Sequence, residues 1–148
     1  MISIQQQDFS LADEYANLNT PGETGAIVTF VGRVRDFSDC GGGLYLQHFP
    51  GMAEKALQRI ADQANKRWAL QKLRIIHRVG RLATNEQIVL VGVASAHRAE
   101  AFAACEFIID ILKTQAPFWK KEGDTWLEAK ASDSEAADHW LAEKTGEQ

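Results

Sequence analysis

Cationic side chains stand at the ends of the segments with regular patterning, not along their faces. Arg33 and Arg35 close an apolar, β-rich run, and His97-Arg98 falls where a second such run gives way to a long amphipathic stretch. A helix starting there presents free backbone N–H groups and the positive end of its dipole, so Ser95-Ala96-His97-Arg98 has the make-up of a phosphate cradle. The plainer alternative is that these are solvated charges, as most Arg residues are. His97 taken alone serves equally as a cap, a core residue or a substrate contact.

Lys113 lies in the last turns of a strongly apolar helical stretch, and Lys120 follows Phe118-Trp119 just beyond it. A lysine enclosed by aromatic and apolar groups can have its pKa drawn below ~10.4, which opens proton transfer near neutral pH. If it stays charged, it can stabilise an oxyanion. Against this, a cation near a helix C-terminus is favoured by the dipole in any case, by about 0.3–1 kcal/mol, and Lys120-Lys121 is equally a solvated pair. Of the two cysteines, Cys40 falls among glycines in a polar loop and Cys105 on an apolar helix stripe. Cys40 has no adjacent base or cation to activate it as a nucleophile, and Cys105 reads as a buried helix residue. They form no close pair, so neither a zinc site nor a redox dithiol is expected.

The elements that must carry these groups follow from periodicity. Ile2 to Ile4 predicts a short edge strand, Ser10 caps a brief helix through Tyr15, and residues 20–23 make a turn. Ala26 to Arg35 carries apolar residues on both faces and predicts an interior strand. Asp36 to Gly43 ends in three glycines and predicts a mobile loop. Leu44 to Phe49 predicts a strand. Pro50-Gly51 then leads into a helix whose apolar positions, Ala53 to Trp68, keep helical spacing. Leu73 to Val79 and Gln87 to Ala96 predict strands joined by a turn-rich connection, and Arg98 to Gln115 a deeply buried helix ending before Pro117. Phe118 to Asp124 is expected as an aromatic and charged turn, Thr125 to Ala129 as a short strand, and the acidic tail as helical. Without strict βαβ alternation, the expectation is an α+β domain spanning 1–148, with a mixed or antiparallel sheet packed by helices.

Bulk properties exclude several classes. The 148 residues are 45% hydrophobic and 24% charged, within the range of a globular protein that folds by itself. A formal charge of −4 argues against a general nucleic-acid binder, so any anion site must be local. The start of the chain lacks a secretory pattern and no run is long enough to span a membrane, which implies the cytoplasm and no membrane partner.

Five segments, taken in order, resemble the large, catalytic subunits of molybdopterin synthase: Thr29-Phe30-Val31-Gly32-Arg33-Val34-Arg35, Gln47-His48-Phe49-Pro50-Gly51-Met52, Ile76-His77-Arg78-Val79-Gly80, Ser95-Ala96-His97-Arg98 and Leu112 to Lys120. The resemblance runs over most of the chain, and the Lys-Thr-x-Ala-Pro-Phe-Trp-Lys run is its most specific part. It implies an α/β-hammerhead-like fold. It also implies a sulfurtransferase that converts cyclic pyranopterin monophosphate to molybdopterin, in molybdenum cofactor biosynthesis, with no cofactor of its own. The sulfur would come from the thiocarboxylated Gly-Gly C-terminus of a ubiquitin-like small subunit, and two large subunits would pair at the centre of a heterotetramer.

By motif, Arg33, Val34, Arg35, His97 and Arg98 would line the phosphate and pterin site. Lys113 and Lys120 would be catalytic beside the incoming tail, with Lys121 and Glu122 adjoining. Gln47 stands where the family often has Glu, Phe49 where it often has Tyr, and Lys130 where it often has Arg, which bears on fine contacts. Two other classes compete: a non-catalytic module that docks a ubiquitin-like protein through its lysines, and a phosphate-ester enzyme using His97 as acid or base. The paired lysines favour the sulfurtransferase over the first. The lack of a carboxylate pair or ligand cluster in the sequence weighs against the second.

Overall fold

A computed structural model of the chain describes residues 1–35, 43–115, 118–122, 125–127 and 139–140, with the backbone alone at 119–122 and 125–127. Strands β1 (Ile2–Gln5), β2 (Ala26–Arg33), β4 (Lys72–Arg78) and β6 (Gln87–Ser95) form a mixed sheet in the order β1-β4-β6-β2. Only β1 and β4 run parallel; the other neighbours are antiparallel. A second, antiparallel sheet has the order β5-β3-β7-β8, from β3 (Leu44–His48), β5 (Gly80–Leu82), β7 (Phe118–Glu122) and β8 (Thr125–Leu127). The helices are α1 (Leu11–Leu18), α2 (Met52–Arg67) and α3 (Arg98–Gln115).

Strand β6 is the centre of the main sheet because it has few polar side chains to solvate. It is buried from Leu90 to Ser95 and bonded on both edges. On one face, Ile75, Val91 and Val93 meet α2 through Leu57, Ile60, Ala61 and Ala64, and α3 through Ala104, Ile108 and Ile111. Fully burying each of the larger of these side chains contributes about 1.5–3 kcal/mol. The small residues of α2 and α3 let the two helices lie side by side on the sheet. On the opposite face α1 approaches through Leu18, whose Cδ1 would come within 2.6 Å of a Cβ at Gly92, so any side chain there would displace Leu18.

Local signals explain where the helices begin. Ser10 accepts the Asp13 N–H and caps α1. The Glu54 carboxylate reaches back to the Gly51 N–H at 2.5 Å, where the φ of +86° suits glycine. Lys66 and Arg67 at the end of α2 complement its dipole. Arg67 also lies 4.8 Å from the centre of the Phe107 ring and donates to the Trp140 carbonyl. Trp140 packs edge-on against Trp68 and Phe107, and its indole N–H donates to Asp110 at 2.6 Å. Trp140 is thereby clamped over the end of α2 and the middle of α3.

Three expectations change. Residues 26–33 form an edge strand, not an interior one: Val28 and Phe30 face the helical core, while Ala26 to Gly32 all remain partly exposed. Apolar residues on both faces describe burial by layers and carry no information about strand neighbours. Residues 118–122, expected as a turn, are strand β7, because Pro117 ends α3 and the following residues find a partner in β3. The connection after β4 contains strand β5, which completes a second sheet where one was expected. The loop 36–42 with Cys40, Lys130 and nearly all of the acidic tail lie outside the described residues. Among the described residues, no helix is long and apolar enough to cross a membrane.

Two stability predictions follow from this packing. Trp140→Ala removes the contacts with Trp68 and Phe107 and the Asp110 bond, and should lower urea-unfolding stability by about 3–5 kcal/mol; a loss under ~1 kcal/mol would show that the clamp is not part of the cooperative fold. Burial, with a smaller contribution from Glu106, pushes the Cys105 thiol from 9.0 up to about 11. The unfolded chain therefore releases this proton first. The stability contributed by the buried thiol should be intact below pH 9 and decline between pH 9 and 11, by up to about 3 kcal/mol relative to Cys105→Ala. Parallel stability–pH curves for the two proteins would contradict this.

Candidate active site

The register of β2 against β6 decides which of the candidate cations can meet. Ala26 pairs with Ser95, and Arg33 with Gln87 at the other end of the same ladder. His97 and Arg98 directly follow Ser95. Arg33 and Arg35 are thus separated from His97 and Arg98 by the length of β2, roughly 23 Å at the usual rise per residue. Within one chain, the expected convergence of Arg35 and Arg98 on a single cavity does not occur. The physical reason is the antiparallel ladder, which puts the end of one strand beside the beginning of its neighbour.

The lysines belong to the Arg33 end. Helix α3 starts beside Ser95 and runs back along β6, with the Cys105 sulfur 3.9 Å from the Val91 carbonyl oxygen at mid-length. Lys113 lies eight residues further on, in the last turn, with its side chain exposed. In strand β7, Lys120 pairs with Leu46 of β3 and Leu127 of β8, Lys121 with Tyr45 and Trp126, and Glu122 with Thr125. Phe118, the first residue of β7, stacks on His77, and His77 pairs with Val89 near the Gln87 end of β6. The end of β2, the end of α3 and the start of β7 therefore share one end of the main sheet.

At this end the polar groups are heavily interconnected. The Arg33 guanidinium donates through Nε and Nη2 to the Asn85 carbonyl, at 3.0 and 2.6 Å. Val34 is buried, and its backbone N–H and carbonyl bond to Glu86 and Asn85. Its contribution is thus to lock the strand end and direct Arg35, which is exposed, outward. Arg78 is buried and donates to the Gln6 and Gln87 carbonyls, with Asp8 and Glu86 at 3.8 and 3.7 Å. The Gln87 amide, the Phe9 N–H and the nearby Arg78 and Arg33 hold the Asp8 carboxyl below its usual range, with slight burial opposing them.

At the far end, the buried Ser95 hydroxyl donates to Glu100 at 2.9 Å and accepts the His97 N–H at 3.3 Å. The start of α3 is thus partly served by its own chain, while the His97 and Arg98 side chains face solvent. Spacing arguments pass over His77, His48 and Phe118, which the fold brings into one aromatic group. The available signal was slight: His77 continues the inward-facing alternation of Leu73 and Ile75. Among the described residues, no cluster of His, Cys, Asp and Glu has the grouping of a metal site.

Known proteins can now be set beside this geometry. Residues 4–115 match the family described as MoaE protein. The chain is 54% identical over 145 residues to the molybdopterin synthase catalytic subunit of Vibrio cholerae, covering 94% of this chain and 97% of that one. Its fold superposes on the molybdopterin biosynthesis MoaE protein of Burkholderia ambifaria with a TM-score of 0.81, at 47% identity, covering 94% of this chain and 96% of that chain. The molybdopterin synthase of Staphylococcus aureus gives 0.76 at 30% identity, covering 84% and 95%. Over nearly its whole length, and in the helices and strands that carry its cations, the chain belongs to the MoaE family of molybdopterin synthase catalytic subunits.

Proposed function

We propose that this chain, acting over residues 1–148 as one catalytic unit in the cytoplasm, transfers sulfur from the thiocarboxylated C-terminus of a ubiquitin-like small subunit to cyclic pyranopterin monophosphate. The product is the dithiolene of molybdopterin, and the reaction needs no cofactor held by the chain. The observation that carries this reading is the meeting of the α3 end, the start of β7 and the end of β2. That meeting supports a site in which Lys113 and Lys120 flank the tail while Arg33 and Arg35, on the strand end that Val34 locks, hold anionic parts of the substrate. Lys121 and Glu122 continue the wall. The thiocarboxylate sulfur bonds to a pterin side-chain carbon as a carbon–oxygen bond there breaks, and the two lysines stabilise the negative charge or protonate the departing oxygen. Water then hydrolyses the thioester, leaving the sulfur on the pterin and the tail as a carboxylate, and a second thiocarboxylated tail repeats the step to complete the dithiolene.

His97 and Arg98 join this site from a second copy of the chain. Strand β2 is an eight-residue edge strand with apolar residues at most positions from Ala26 to Val31, and edges of that kind invite pairing with another chain. Phe102, on the adjoining part of α3, is 61% exposed. A two-fold axis near the middle of β2 makes the contact self-complementary. It sets the Arg33–Arg35 end of one copy beside the His97–Arg98 end of the other, twice. The heterotetramer then consists of a central pair of these chains with a small subunit at each lysine end.

Two measurements test the reading. With a thiocarboxylated small subunit and cyclic pyranopterin monophosphate, the unmodified chain should form the dithiolene product, detected by mass spectrometry. Lys113→Ala should lower turnover on the order of 100-fold or more with its melting temperature unchanged; near-normal turnover removes Lys113 from the chemistry. Arg35→Ala and Arg98→Ala should each be strongly impaired, yet co-expressed chains should recover up to about a quarter of normal activity, because half the dimers contain one intact site. No recovery would mean that the two arginines act in one chain's site or in none.

A further inference from the structure

Phe118 occupies a joint in the fold. With Ile4, it is one of the partly buried residues that touch both hydrophobic clusters: the large one between the main sheet and its helices, and the small one formed by Val34, Leu44, Leu46, Val79 and Leu82. Only two residues separate it from Gln115, the end of α3, and Lys120 follows two residues later. Any displacement of Phe118 therefore displaces the start of β7.

What holds Phe118 is His77. The two rings are 3.9 Å apart and 11° from parallel. His77 is only 5% exposed, and its backbone is fixed from both sides, paired with Ile4 of β1 and Val89 of β6. Its Nδ1 lies 2.9 Å from the Arg78 carbonyl oxygen, so the Nδ1–H tautomer donates there and sets the plane of the ring. His48, the partner of Phe118 across β3 and β7, brings a third ring to 6.3 Å, and its Nε2 is 3.7 Å from the carboxylate of Glu54 at the start of α2. A polar aromatic residue buried at the sheet end, oriented by its own strand and lying flat on the first residue of β7, has more geometric definition than core filling requires.

We propose that His77 is a positioning residue for the reaction. Through its stack on Phe118 it fixes where β7 leaves α3, and so where the backbone of Lys120 lies relative to the α3 end that bears Lys113. It touches neither substrate nor tail and acts only through Phe118. The part of this concerning turnover rests on the sulfur-transfer reading above; the part concerning β7 does not.

The test compares His77→Leu, which keeps apolar volume but removes the ring, with His77→Phe, which keeps a ring on Phe118. Turnover with the thiocarboxylated small subunit and the pterin substrate is measured beside amide hydrogen exchange of the peptide covering 118–122. His77→Leu should lower kcat about 10- to 100-fold with KM changed less than about twofold, and should speed exchange over 118–122. His77→Phe should restore kcat to within about threefold. Phe118→Leu should reproduce the loss, and combining it with His77→Leu should add little, as expected of two residues acting as a unit.

A His77→Leu kcat within about twofold of normal, or equal losses in the Leu and Phe variants, would overturn the proposal. If His77→Leu does not fold, Phe118→Leu carries both measurements. If the unmodified chain makes no product, the assigned reaction falls instead, and exchange alone decides: unchanged rates over 118–122 in His77→Leu would dispose of the positioning role.

Discussion

Helix α3 lies antiparallel on β6, and most of the molecule's chemistry is arranged by that contact. The strand is buried on both faces and bonded on both edges, so it has no freedom to tilt. The helix offers it a broad face of alanine, isoleucine and Cys105. Because the connection between them is short, the helix start stays beside Ser95 and its end is carried back to the opposite side of the sheet. The helix start that bears His97 and Arg98 and the helix end that bears Lys113 are thus held apart within one chain by the packing of the core. An arrangement that needs both must use two chains.

The second sheet answers a different need. Strand β7 has to leave α3 at a defined angle, and a two-residue connection after a helix does not define one. Its definition comes from pairing with β3 and from the aromatic contact of Phe118 with His77 on the main sheet. Strand β3 in turn closes the small core with Val34, which ties the end of β2 to the same structure. The arginine-bearing strand end and the lysine-bearing strand are therefore two sides of one small hydrophobic cluster. This end of the molecule is well packed although its individual strands are short.

Around this end, charges are neutralised locally. Arg33 and Arg78 spend their donors on backbone carbonyls of the 83–87 turn and the 6–8 segment, with Asp8 and Glu86 alongside. Arg78 and the Nε–Nη2 edge of Arg33 act as pins for irregular backbone that has no ladder to satisfy it. Arg35, one residue beyond the buried Val34, is directed outward instead. Three arginines close together in space therefore have different work, and their environment, not their residue type, separates them.

Much of this was legible from residue order. Strand and helix spans followed from periodicity because burial imposes a two-residue or 3.6-residue repeat on any segment that covers a core. The limits of α3 were legible because Pro117 cannot continue a helix, and the family followed from five motifs with specific side chains. Neighbour relations were not legible. Whether residues 26–33 lie at an edge or in the interior, whether 118–122 turns or pairs, and which cations face each other depend on strand order and register. Those are set by contacts between segments far apart in the chain, such as His77 with Phe118 or Ala26 with Ser95. The sequence by itself determined what each segment could bury and which groups it could offer; only the tertiary structure decided which end of the sheet each group would occupy, because antiparallel pairing reverses direction at every turn.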